Sequence, residues 1–141
     1  MARQKYKVIA VRRYSVEGES GREIVLKIGE PIQPASPSGS WTCPVFLDGL
    51  EPDIQYAEGV DAVQAIQSAM RHARHALDNC GLPITWLGQE PGDIGLPLPI
   101  DGPFGLWFQR RLEKLVDDET ERVGEIVAAV LKERARRKRG P

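Results

Sequence analysis

The sequence predicts an α+β fold in a single domain that spans residues 1–141. Residues 5–58 have the composition and turn residues of successive strands, residues 60–80 have the periodicity of an amphipathic helix, and residues 104–139 have that of a longer helix. A helix with one apolar side packs well across a sheet. We therefore predict a mainly antiparallel sheet of four to five strands in the order β-β-β-(β)-α-β-α, with a central helix across it and a long C-terminal helix.

The first two strands are predicted to form a hairpin. The first covers Lys5–Val16, where β-branched and aromatic residues are frequent. Its run Val8–Val11 is apolar without alternation, which is typical of a central strand covered on both faces. The glycines of Glu17–Gly21 indicate a tight connection, and apolar residues then alternate over Glu23–Ile28.

Two further strands are predicted before the central helix. Three prolines make Pro31–Ser40 a surface loop, because proline cannot donate to a ladder. Residues 41–47 alternate as a strand, but Pro44 in its middle restricts this strand to a sheet edge or a bulge. A short strand over Ile54–Ala57 follows.

The central helix, Val60–Cys80, separates its residues into an apolar and a polar side at about 100° per residue. Several alanines lie on the apolar side, and small residues let a helix axis come close to a flat surface, which favours packing on a sheet. Asp61 and Gln64 have the spacing of a capping box, and Gly81 is suited to end the helix.

A strand over residues 83–87 is predicted to return to the same sheet. The segment that follows, residues 88–103, is rich in glycine and proline and cannot be regular structure. Its apolar residues are Ile94, Leu96, Leu98 and Ile100. Long connections of this kind are usually functional or disordered, but the apolar residues predict an ordered strap that packs along the domain. We call residues 88–103 the strap.

The C-terminal helix over residues 104–139 carries an apolar stripe. Its members are Phe108, Leu112, Leu115, Val116, Val123, Ile126, Val127 and Val130. Glu119 lies inside the stripe, and Asp118 with Glu121 has capping-box spacing, which permits a kinked helix pair. A straight helix would be about 54 Å long and would extend past the sheet. We therefore expect either a helix that folds back near Asp118 or, preferably, a homodimer through this helix.

The composition is typical of a soluble globular protein, with 41% hydrophobic residues, 28% charged residues and a net charge of −1. No window is long and apolar enough to span a membrane, so no membrane partner is predicted. The N-terminus lacks the features of a secretory signal, and a cytoplasmic location is expected. The two cysteines form no disulfide framework and are expected to be reduced.

The candidates for catalysis and metal binding are weak. His72 and His75 share a helix face, but no third ligand follows at a characteristic spacing, so a solvated face is the simpler interpretation. Cys43 or Cys80 would need a histidine partner, and no phosphate-loop or dinucleotide motif is present. We predict no catalytic residue, no metal site and no cofactor; an enzyme with an unrecognised site is the alternative.

The basic C-terminal tail, residues 132–139, has six basic residues and one acidic residue. It could follow a phosphate backbone as a helical extension, or it could be a solvated terminus. Its candidate contacts are Arg134, Arg136, Arg137, Lys138 and Arg139. No aromatic residue interleaves with them, so stacking on single-stranded bases is not supported. Nucleic acid is therefore an alternative partner.

The chain resembles a small uncharacterised bacterial domain family in three runs, namely YAEGVDAVQAIQSAMRHARHAL, ITWLG and FGLWFQRRLEKLVDDE. The resemblance covers most of the chain. It implies a small bacterial α+β domain. Because no activity is assigned to that family, the resemblance carries over no catalytic residue.

We expect a non-enzymatic protein-binding or regulatory domain. Apolar residues in irregular structure and on the overhanging helix motivate this expectation. The candidate partner-binding residues are Leu96, Leu98, Ile100, Val123, Ile126, Val127 and Val130.

Overall fold

The computed structural model describes residues 6–97 and 104–140. By its contacts the chain forms two compact units, Met1–Pro99 and Ile100–Pro141. The first unit holds a sheet and one helix, and the second holds a long helix. These elements confirm the predicted α+β fold class.

Within residues 6–97, five strands form one antiparallel sheet. They are β1 (Val8–Val16), β2 (Glu23–Gly29), β3 (Trp41–Asp48), β4 (Gln55–Gly59) and β5 (Ile84–Thr85). Their order is β4-β3-β2-β1-β5. The predicted hairpin is formed by β1 and β2, and β5 returns to the sheet beside β1.

The prediction that β1 is covered on both faces is wrong. Val8, Ile9 and Val11 are 41, 48 and 54% exposed. A register shift between Val8 and Ala10 interrupts the alternation of the strand. The continuous apolar run therefore lies at an irregularity of the strand and is exposed rather than covered on both faces.

Pro44 is predicted to restrict β3 to a sheet edge or a bulge, and the edge is wrong because β3 is an interior strand. The register between β2 and β3 ends at the pair Ile28↔Val45. The next contact on that side of β3 is an isolated bridge between Ile32 and Thr42. Pro44 therefore falls in a gap of the ladder, where its missing N–H group costs no hydrogen bond.

The central helix, α1 (Ala62–Asp78), lies close to its predicted bounds. The predicted capping box is present. Asp61 accepts a hydrogen bond from the backbone N–H of Gln64 at 2.7 Å, and the Gln64 side chain accepts one from the backbone N–H of Val60 at 2.7 Å. Just beyond the helix, Gly81 has a φ of 73°, which suits glycine.

Small residues set the distance between α1 and the sheet. Ala65, Ala69 and Ala73 are fully buried. A Cβ atom at Gly59 of β4 would lie 2.3 Å from the backbone nitrogen of Ala65, so no larger residue fits there without moving the helix. Val63 lies about half a turn from this row and is 64% exposed, although the periodicity placed it on the apolar side.

The described part of the strap, residues 88–97, packs into the same core as α1. Ile94 and Leu96 are 4 and 7% exposed and belong to the buried cluster. The hydroxyl of Tyr14 donates to the carbonyl of Ile94 at 3.0 Å, and Arg74 of α1 donates to the carbonyl of Leu96. Burial raises the pKa of Tyr14, which keeps the hydroxyl protonated as a donor.

Arg12 and Trp86 hold the strap at Gly95. Arg12 donates to the Gly95 carbonyl at 2.6 Å, and its guanidinium lies 4.2 Å from the centre of the Trp86 ring. Gly95 has a φ of 60°, and a Cβ atom there would lie 2.2 Å from the Trp86 ring. The backbone of the strap therefore passes directly over this ring, and its described part packs along the domain as predicted.

The second unit contains α2 (Leu106–Lys138), one uninterrupted helix. The break that capping-box spacing permitted near Asp118 does not form. The Asp118 carboxylate instead accepts a bond from Lys114 one turn earlier, at 2.8 Å. The C-terminal element is therefore a single helix rather than a kinked pair.

The bond between Tyr14 and the strap can be tested by Tyr14→Phe. The substitution removes the hydroxyl donor of the Ile94 carbonyl and leaves it only the longer bond from Arg12 at 3.4 Å, so we expect the free energy of unfolding to fall by about 0.5–1.5 kcal/mol. Urea denaturation measures this change. Tyr56→Phe is the matched control, because Tyr56 is 40% exposed, and its effect should stay below about 0.5 kcal/mol. Equal effects of the two substitutions would mean that this bond does not hold the strap.

Candidate functional site

Four of the predicted partner-binding residues lie on α2 and are open to solvent. Val123, Ile126, Val127 and Val130 are 44, 49, 51 and 46% exposed. None of the residues of α2, all of which the structure describes, is buried. Neither α2 nor any other helix in residues 6–97 and 104–140 is long and apolar enough to cross a membrane. The helix therefore presents an aliphatic stripe that is about half exposed along its length.

The predicted partner-binding residues of the strap do not contribute to this exposed stripe. Leu96, predicted as a partner contact, is instead part of the core, since it is 7% exposed. Its burial follows from the anchoring of the strap by side chains of β1 and α1. Leu98 and Ile100 lie outside the described residues. The candidate surface is therefore the stripe on α2.

Glu119 places a charge inside this stripe, between Val116 and Val123. Its carboxylate accepts a bond from Nε of Arg122 at 2.8 Å. This bond lowers the pKa of Glu119 below its usual range, so the carboxylate is charged at neutral pH. Any helix that packs along the stripe meets this carboxylate together with the Arg122 guanidinium that is paired with it.

The predicted nucleic-acid contacts lie at the end of α2. All five are exposed: Arg134, Arg136, Arg137, Lys138 and Arg139. The helix continues to Lys138, so the tail is an ordered extension of α2. Glu133 offsets part of the positive charge, because its Oε1 atom accepts bonds from Arg136 and Arg137 at 3.1 and 3.0 Å.

His72 is not on a solvated face, contrary to the prediction. Its Nε2 atom lies 2.7 Å from Oε1 of Glu51 in the turn between β3 and β4, and the two side chains are 34 and 15% exposed. The other carboxylate oxygen of Glu51 is buried and has no hydrogen-bond partner among the described residues. The sequence carries no signal for this pair, because 21 positions separate the two residues. His75 is exposed and contacts Asn79, the residue that caps the C-terminal end of α1.

The described residues show little that could support catalysis or metal binding. Within residues 6–97 and 104–140, no three histidine, cysteine, aspartate or glutamate side chains converge as a metal site requires. Cys43 is fully buried, and burial raises the pKa of its thiol, which disfavours the nucleophilic thiolate. Its sulfur contacts the carbonyl of Gly29 at 3.4 Å, so this thiol acts as a packing group.

A comparison with known protein families finds a match to the first unit. A family model described as a domain of unknown function, DUF6968, matches residues 10–98, which is more than half of the chain. The chain belongs to the DUF6968 family. This membership confirms the resemblance to an uncharacterised family. Neither a curated protein nor a solved structure matches the chain.

The DUF6968 match covers the sheet from within β1, the whole of α1 and most of the strap. It ends before α2 begins at Leu106. The exposed stripe and the basic tail of this DUF6968 protein therefore lie outside the matched segment. Because the family description names no activity, the match assigns a role to no residue.

The contact between Glu51 and His72 can be tested by a double-mutant cycle. His72→Ala leaves the mostly buried carboxylate of Glu51 without this partner, and we expect the free energy of unfolding to fall by about 1–2 kcal/mol. His75→Ala is the matched control on the same helix and should change stability by less than about 0.5 kcal/mol. Combining His72→Ala with Glu51→Ala should cost about 1 kcal/mol less than the two single changes together. Strict additivity in urea denaturation would show that the two side chains are not coupled.

Proposed function

We propose that this protein is a non-enzymatic protein-binding domain of a regulatory kind, with α2 as its binding element. The half-exposed aliphatic stripe on an uninterrupted helix carries the proposal. Contiguous apolar surface of this kind marks interaction sites in soluble proteins. An amphipathic helix that lays its apolar side against a partner is one of the common modes of protein recognition.

The stripe costs stability while it stays in water. Burying a whole valine, leucine or isoleucine side chain gains ~1.5–3 kcal/mol, so covering the exposed half of each gains about 1 kcal/mol. Most of the stability of a helix in a protein comes from packing its apolar side rather than from helix propensity. A partner along α2 would therefore both bury the stripe and stabilise the helix.

Several polar side chains of the first unit have structural roles. Arg12, Tyr14 and Arg74 bind backbone carbonyls of the strap. The pair of Glu51 and His72 joins a turn of the sheet to α1. These polar side chains are thus engaged in contacts within the first unit. This supports a protein that acts by binding rather than by catalysis.

We also propose that the protein resides in the cytoplasm. Cys43 and Cys80 are both free thiols, and Cys80 is only partly buried. Free thiols of this kind suit a reducing compartment, where disulfides are rare.

A photo-crosslinking amino acid at Ile126 tests the protein-binding proposal. In cells of its source, the intact chain carrying this residue should form a covalent adduct with a protein, because Ile126 lies on the stripe. Adducts are detected as a shift in mass and identified by mass spectrometry. An adduct with a second copy of the chain and an adduct with a different protein both support the proposal.

Ala128 is the matched control for this experiment. It lies two residues further along the helix and about 200° around it, so the same amino acid there faces away from the partner. We expect little or no adduct from Ala128. The proposal fails if Ile126 forms no protein adduct, or if both positions react equally.

A second candidate function is association with nucleic acid through the basic tail, supported by its exposed side chains on an ordered helix end. If the tail makes about five phosphate contacts, raising the salt concentration from about 50 to about 200 mM should weaken its binding to duplex DNA by roughly 10²–10³-fold. Deletion of residues 132–141 should abolish this binding, as measured by fluorescence anisotropy. Arg110→Gln with Arg111→Gln, at the other end of α2, is the control and should retain it. Binding that survives the deletion would contradict this candidate.

A further inference from the structure

The sequence of α2 is self-complementary around the stripe. The block Val123–Leu131 contains one charged residue, Glu125. Acidic residues dominate Asp117–Glu121 on its N-terminal side, and basic residues dominate Lys132–Arg139 on its C-terminal side. We propose that α2 binds α2 of a second copy of this chain in the antiparallel orientation. This inference rests on the proposed function, in which α2 is the binding element, and it names the partner.

The stripe has the spacing of a coiled-coil seam. Alternating steps of four and three residues connect Leu112, Val116, Glu119, Val123, Ile126 and Val130. Side chains at this spacing insert between those of a facing helix that has the same repeat. A second copy of α2 has this repeat, and its half-exposed stripe needs the same cover.

A parallel dimer would bring like charges together. Glu119 would face Glu119 of the second copy across the seam, and its bond to Arg122 at 2.8 Å keeps it charged. The acidic segments would also lie side by side, as would the basic tails. Like charges placed opposite each other in an interface disfavour that arrangement. The apolar block allows either orientation, so the charged flanks decide between them.

An antiparallel dimer removes these conflicts if its two-fold axis crosses the helix pair at the level of Ala128 along the chain. Most of the apolar block of one helix then covers the same block of the other, with Ile126 opposite Val130, and Val123 at the edge of the block faces Glu133. Glu119 meets Arg137 of the second copy, and the acidic segment runs beside the basic tail. The two-fold symmetry forms each contact twice. Complementary charges thus fix the orientation that the apolar block leaves open.

Charge reversal tests the pairing in the intact chain. Glu119→Arg should weaken self-association by about tenfold, because two symmetric attractive contacts become repulsive. Combining it with Arg137→Glu should restore the association. Glu125→Arg, which lies off the seam, is the matched control and should leave the association unchanged. Analytical ultracentrifugation measures these constants, and a double variant as weak as Glu119→Arg alone would overturn the proposal.

Spin labels report the orientation directly. Cys80→Ala provides a background in which the remaining cysteine, Cys43, is fully buried. Labels at Arg111→Cys should lie about 50 Å apart in the dimer, since each is about 17 residues from the axis at ~1.5 Å per residue. Labels at Ala128→Cys should lie within about two helix diameters, on the order of 20 Å. Short distances at both positions would show a parallel dimer and overturn the proposal.

The outcomes separate this inference from the proposed function. A monomeric mass for the intact chain at micromolar concentration overturns the self-pairing. If Ile126 then captures a different protein in cells, the binding role of α2 stands without the dimer. If Ile126 captures no protein at all, both proposals fall.

Discussion

The close approach of α1 to the sheet is the constraint on which the rest of the first unit depends. A Cβ atom at Gly59 would lie 2.3 Å from the backbone nitrogen of Ala65, so the two backbones meet with almost no side chain between them. Ala69 and Ala73 continue this contact along the helix. At this distance α1 packs mainly on β3 and β4, and the core near β1 is left for another segment to fill.

The strap fills that part of the core. Ile94 and Leu96 supply the apolar side chains, and the backbone carbonyls beside them are satisfied by Tyr14, Arg12 and Arg74. A glycine- and proline-rich segment cannot pair its own backbone groups as a strand or helix would, so side chains from neighbouring elements must do so. The described part of the strap, residues 88–97, is therefore a structural part of the fold, although its composition is equally typical of a binding loop.

α2, unlike α1, has an apolar side that is not buried. Its stripe is as apolar as a core helix requires, but no side chain on it is buried, and Glu119 interrupts it with a charge that Arg122 stabilises. In a core such a charge would be costly, whereas at a helix pair it can meet an opposite charge on the partner. In the proposed dimer, the arrangement of acidic, apolar and basic segments along one helix would set the orientation as well as contribute to the affinity.

The sequence by itself determined the helices and the candidate stripe. Periodicity placed α1 and α2 within two residues at each end, and Asp61 with Gln64 marked the start of α1, because these features depend on residues close together in the chain. Only the tertiary structure decided the exposure of β1, the interior place of Pro44 and the burial of Leu96. The same holds for the contacts of Glu51 with His72 and of Tyr14 with Ile94, which join residues 21 and 80 positions apart. Burial and pairing of this kind depend on which distant segments meet, and local patterns do not encode that.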